Sequence, residues 1–171
     1  GLMSGEASSA GISGTSNIGI GGLAGRYVTG EGNAALGAGA GSGSKGDSNS
    51  AIGLSAGSNV TGSANLAFGV QAGSHISGNQ NIGIGYYAGF STSGEQNTAI
   101  GYGAGWTVSG SNNTAIGDGI GKGEGAGSKV TGNDNVALGR MAGRYITGNT
   151  NNSIGYMSGQ SSTGISNIAF G

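Results

Sequence analysis

Few side chains in this sequence could do chemistry. The 171 residues include one His, His75, and seven acids: Glu6, Glu31, Asp47, Glu95, Asp118, Glu124 and Asp134. Acid–base catalysis needs a titratable group held against a partner. Hydrolysis of a glycosidic bond needs two carboxylates at a set separation. The acids are scattered, and no two of them are expected side by side. Cys is absent, which removes disulfides, thiolate nucleophiles and thiolate metal ligands. Repeats that wind around Ca²⁺ supply acidic oxygens from every turn, and these turns do not. The segment DGIGKGEG, residues 118–125, is superficially similar to a phosphate loop. Its Lys122 is followed by Gly123 rather than Ser or Thr, and the spacing before the Lys is wrong. Pairs such as those in GIGYYAG, from Gly83, are corners of a repeat, not dinucleotide fingerprints. These residues point to no enzyme, no cofactor and no metal.

Charge narrows the partners. Six bases against seven acids leave a net charge of −1, too neutral and too sparse for a nucleic-acid groove or an anionic membrane surface. No apolar run approaches the ~20 residues of a membrane span, so no direct membrane insertion is expected of this segment. A signal peptide is not evident either. Gly supplies 43 residues and Pro none. A Gly-rich chain without a period stays disordered, because it cannot bury enough apolar surface to offset backbone entropy. A strict period reverses that expectation.

The period is sixteen. Take as slot zero the Asn at Asn17, Asn33, Asn49, Asn65, Asn81, Asn97 and Asn113. The next comes after twenty-two residues, at Asn135, and the register resumes at Asn151 and Asn167. One six-residue insertion therefore lies within residues 118–127. Residues 1–16 read as a degenerate first repeat, with Gly1 in the Asn slot and Ile12 and Gly14 in theirs. Slots four, eight and thirteen are Gly, slot two is small, and slot seven is almost always Ala, from Ala24 to Ala142. Slot eleven favours Val or Ile. Slot three is always large and apolar: Ile20, Leu36, Ile52, Phe68, Ile84, Ile100, Ile116, Leu138, Ile154 and Phe170.

Sixteen residues cut by Gly cannot hold a helical hairpin. Each repeat is instead expected to hold two short strands, one at slots one to four and one near slots nine to twelve, joined by Gly corners. Stacked on itself, such a lap is a parallel β-roll or β-solenoid. The whole of residues 1–171 is then one all-β domain of about ten coils. Like slots lie about 4.8 Å apart, giving a rod on the order of 50 Å. Strand alternation puts slots two and four on one side and slots one and three on the other. The small side fits the interior, which leaves slot three as an outward apolar stripe that sister chains would cover. In the alternative, slot three fills the chain's own core. The Asn column is expected to form a structural ladder.

The motifs NSAIG at Asn49, NTAIG at Asn97 and Asn113, and NVALG at Asn135 resemble the YadA-type head repeat of trimeric autotransporter adhesins. The resemblance covers essentially the whole chain. It implies a left-handed parallel β-roll, a parallel homotrimer with slot three at the axis, and an extracellular, bacterial cell-surface adhesin that binds a glycan or surface protein. It also implies that the chain is a fragment of a longer fibre, anchored in the outer membrane through other regions. The repeat is longer than the family's commonest one by an AG corner, such as Ala104-Gly105. That longer form is similar to repeats of bacteriophage tail fibres, so a virion fibre binding a cell-surface glycan is the alternative owner. An inert spacer is another.

Variable slots are where a ligand would be met. Slots five, six, nine and ten carry Tyr27, Tyr86, Tyr87, Phe90, Tyr102, Trp106, Tyr145 and Tyr156. Stacking places Tyr86 beside Tyr102 and Phe90 beside Trp106. These four form the candidate binding patch, since aromatic surfaces suit sugars and protein hot spots. The competing expectation is that they only cover one another and stiffen the rod. Arg26, Arg140 and Arg144 are expected to pack over Tyr rings or meet water. His75, in slot ten, is expected to be exposed. Slot twelve is nearly all Ser or Thr, from Thr29 to Thr163, a single file broken by Lys45. This leaves ice binding as a remote alternative.

Overall fold

The computed structural model describes Met3, Ser4, Gly11 and residues 13–171. Gly1, Glu6 and Ile12, parts of the degenerate first repeat, lie outside the described residues. The chain is an all-β parallel solenoid of about ten laps, with no helix among the described residues. Eleven short strands run β1 (Met3–Ser4), β2 (Ile18–Ile20), β3 (Ala34–Leu36), β4 (Ser50–Ile52), β5 (Leu66–Phe68), β6 (Ile82–Ile84), β7 (Thr98–Ile100), β8 (Thr114–Ile116), β9 (Val136–Leu138), β10 (Asn152–Ile154) and β11 (Ile168–Phe170). They form one parallel sheet in chain order. Register is sixteen residues per step, as in Ile84↔Ile100, except that Ile116 pairs with Leu138 across the longer repeat.

The second expected strand is not there. Slot twelve alone makes a ladder, as single-residue bridges running from Ser13↔Thr29 to Thr147↔Thr163. Slots nine and ten belong to turns, because slot ten takes a left-handed conformation that ends any extended run: Tyr27, His75, Ser91 and Thr107 all have φ near +60°. Slots six and fifteen bend likewise, as at Tyr87 (φ 57°) and Gln96 (φ 57°). These three left-handed positions are built mostly without Gly.

The Gly columns have two separate causes. At slots four and thirteen φ is beyond 100°, as at Gly101 (121°) and Gly110 (135°), a region closed to L side chains, and an added Cβ would strike the same column's carbonyl one coil on. At slot eight φ is near 60°, which other residues tolerate. There the obstacle is space, since a Cβ on Gly105 would lie 2.7 Å from the Ala99 Cβ.

Burial follows the out–in–out alternation of a three-residue strand. Slot two is buried, together with slot-seven Ala and slot-eleven Val or Ile; Ala72, Ala104, Val60 and Ile146 are at most 1% exposed. Slot three faces away from this core. Ile20, Leu36, Ile52, Phe68, Ile116 and Ile154 are between 38% and 51% exposed. A solvent-facing stripe is therefore what the sheet presents, and the alternative of slot three as core is excluded for the single chain. The interior is narrow. A void of about 20 Å³ lined by Val28, Ala35, Val60 and Ala67 has room for a single water.

The Asn column ties each coil to the next. Asn97 donates its backbone N–H (3.0 Å) and Nδ2 (3.0 Å) to Asn81 Oδ1, and Nδ2 again to the Gly110 carbonyl (2.8 Å). The pattern crosses the longer step unchanged, from Asn135 to Asn113 Oδ1 at 3.0 Å. Each inner Asn thus accepts two hydrogen bonds and donates two, all its side-chain amide can make well in a dry site.

Candidate functional site

The long turn over slots five to ten holds the variable slots five, six, nine and ten, around a nearly invariant Ala-Gly at slots seven and eight. Its backbone is fixed by hydrogen bonds to the neighbouring coil, such as Gly103 N–H to the Tyr86 carbonyl (2.9 Å) and Thr107 N–H to the Phe90 carbonyl (2.8 Å). Variable side chains therefore stack in files along a rigid corner.

The expected aromatic pairs are formed. Tyr86 and Tyr102 stack with centroids 5.3 Å apart and planes 7° apart. Phe90 and Trp106 stack at 4.5 Å and 16°. Tyr87, which stood outside the four-residue patch, occupies its middle. It meets Tyr86 edge-on at 4.6 Å, Phe90 at 5.6 Å and Trp106 at 5.1 Å, and is only 7% exposed. His75, exposed as expected, lies 5.2 Å from the Phe90 ring on the side away from Trp106. The four rings thus stack as two separate pairs, each ring with one face against its partner. Tyr86 stays exposed, and Tyr102, Phe90 and Trp106 are half-buried.

The insertion completes this cluster. Gly119 bonds to the Tyr102 carbonyl as Gly103 does to that of Tyr86, and Ala126 takes slot seven, its carbonyl accepting from Gly105. The six extra residues are therefore 120–125. They fold back over the preceding coil. The backbone of Gly123 lies against Trp106, with an added Cβ only 3.1 Å from its Cδ1. Lys122 Nζ sits 4.2 Å from the centroid of the Tyr87 ring. Interaction with the Tyr87 phenol outweighs desolvation and raises the Lys122 pKa above the ordinary lysine value; Tyr86 and Tyr102 act in the same sense. The Lys that failed as a phosphate-loop residue is thus the cation over the aromatic cluster. Only its place in an insertion beside the Tyr-rich coils could have signalled this.

A second basic group lies on the following coils. Lys129 Nζ donates to the Tyr145 hydroxyl (3.2 Å), as does Arg144 (3.3 Å), which also approaches Glu124 at 3.8 Å. Hydrogen bonding from Lys129 first, then Arg144, lowers the Tyr145 pKa. Arg26 and Tyr27 repeat the arrangement near the other end, with a 2.6 Å hydrogen bond and the guanidinium 4.5 Å from the ring centroid. Arg140 lies 5.8 Å from the Tyr156 centroid. The Arg side chains thus pack over Tyr rings.

The acids depart from expectation. Glu31 and Asp47 share slot fourteen on adjacent coils, and Glu95 lies further along the same column. Asp47 Oδ1 accepts the Glu31 N–H (2.9 Å), and Glu95 accepts from Asn79 (2.9 Å). These carboxylates belong to a second side-chain ladder, continued by Ser63, Asn79, Ser111 and Asn133. Among the described residues no group of three or more acidic or His side chains gathers as for a metal ion. The slot-twelve hydroxyls are exposed in a single file, Lys45 among them.

Comparison with protein-family models, curated proteins and solved structures finds no match to this chain.

Proposed function

We propose that the chain is a head segment of an extracellular fibre, a parallel homotrimer of left-handed rolls similar to the YadA-type heads of bacterial surface adhesins. Its rigid corner presents a binding surface to a glycan or surface protein. A virion fibre of the same build is the alternative owner.

One observation carries the proposal. The core is built from Ala and Val or Ile columns, while ten large apolar residues, in unbroken register, face outward on the sheet. A continuous apolar stripe of this length is a liability in a lone chain. Parallel association about an axis along the rod places like slots together at every level, so one pattern covers the whole stripe. Sedimentation equilibrium at micromolar concentration tests this. A mass of three times the 16.1 kDa chain supports it, and a stable monomer sinks it. The ice-binding alternative rests on the exposed slot-twelve file, which is one residue wide. Thermal hysteresis in dilute protein is its test.

A further inference from the structure

Charge is unevenly divided over the molecule. Four of the six bases, Lys122, Lys129, Arg140 and Arg144, lie on the corner between Tyr86 and Tyr156, with two acids, Asp118 and Glu124. Four bases against two acids leave this strip at +2. The rest of the chain, two bases against five acids, stands at −3. The strip also carries five of the six Tyr residues.

The way the rings stack decides what can be bound. Tyr86 lies against Tyr102, Phe90 against Trp106, and Gly123 against Trp106. An incoming group therefore meets phenol hydroxyls, ammonium groups and ring edges beside rings that already have one face covered. Ring edges carry the positive side of the aromatic quadrupole, so edge, hydroxyl and cation all favour anionic oxygen. Nucleic acid needs a groove of much higher positive charge than this strip carries. Lys122, Lys129, Arg140, Tyr86 and Tyr145 are exposed. The coils that bear them succeed one another at about 4.8 Å per step, so charge recurs along the axis as it does along an extended acidic sugar chain.

We propose that this corner binds an anionic saccharide laid along the coil axis. Lys122, Lys129 and Arg140 hold its carboxylate or sulfate groups, and the Tyr86 and Tyr145 phenols meet its hydroxyls. Lys122 Nζ sits over the Tyr87 ring, which holds the ammonium at the cluster. This inference rests on the reading of the chain as a surface-presenting fibre.

Calorimetric titration with oligogalacturonate, chondroitin sulfate oligosaccharide, neutral dextran and an oligo-dT strand provides the test. The expected result is binding of at least one acidic saccharide, weakened by salt, with dextran and oligo-dT inactive. Comparing the two acidic probes separates carboxylate from sulfate recognition. The Lys122→Gln, Lys129→Gln double variant is expected to bind roughly tenfold or more weakly. Its sedimentation mass should match that of the wild type, which shows that the fold survives. Failure of both acidic probes, equal binding of oligo-dT, or an unchanged affinity in a folded double variant overturns the proposal. A trimer that binds neither acidic probe sinks this site and leaves the fibre standing. A monomer that binds one does the reverse.

Discussion

Asn81 shows how much one side chain must supply in a coil with so little apolar mass. Its Oδ1 takes two hydrogen bonds from Asn97, and its Nδ2 gives one to Asn65 Oδ1 and one to the Gly94 carbonyl. Asn81→Ala leaves these buried partners unsatisfied. A loss of about 3 kcal/mol is expected, the upper end for such groups, measurable by urea unfolding. Gly110→Ala is expected to be worse, because φ is 135° and the new Cβ meets the Gly132 carbonyl; its yield of folded protein is the measure. At Tyr145, the neighbouring Lys129 and Arg144 favour the phenolate, so absorbance titration should show a Tyr ionising below the usual range. Lys129→Met should move it back up. The linked stability is present above the ordinary Tyr pKa and is lost as pH falls through the lowered value. Columns such as these are legible in sequence, because an invariant slot repeated ten times leaves only the side of the lap to be decided. Slot fourteen is not legible as a column because Glu, Asp, Ser and Asn do not look alike, though Asp47, Ser63 and Asn79 each offer an oxygen to a backbone N–H and Glu95 offers one to the Asn79 amide.

At the level of the single lap, the first strand followed from alternation, while the second dissolved into a bridge of one residue. An extended run near slots nine to twelve is what the spacing between Gly corners predicts. The left-handed turn at slot ten accepts Thr107 and Tyr145 alike, so composition gave no warning. The insertion was legible as a count of six and not as a position, since DGIGKGEGAG offers Gly at many steps. Its function as a cover for Trp106 depends on a fold-back that no local pattern encodes. Deleting residues 120–125 joins Gly119 to Ala126, the slot-six-to-seven step that Gly103 and Ala104 already make. The coil is therefore expected to survive, with circular dichroism unchanged. Trp106 loses its contact with Gly123, so its fluorescence should shift to the red and become more open to acrylamide quenching.

For the whole molecule, stability is a sum over neighbouring coils, and each coil has partners above and below through both backbone and Asn. Ile84→Lys with Ile100→Lys puts two charges into the outward stripe. Neither side chain points into the Ala and Val core, so the coil should fold, and the proposed trimer is expected to give way to single chains by sedimentation. The Asn column carries one more implication. Backbone bonds between coils run both ways, as from Gly37 to Ile20 and from Ile18 to Asn33, and their moments oppose. The side-chain amides all point the same way, each N–H toward the earlier coil. Ten amides of ~3.5 D each then add to a permanent moment on the order of 30 D. The Asn column therefore gives the rod an axial sense of direction that its opposed backbone bonds lack, added to the moment of the charged side chains.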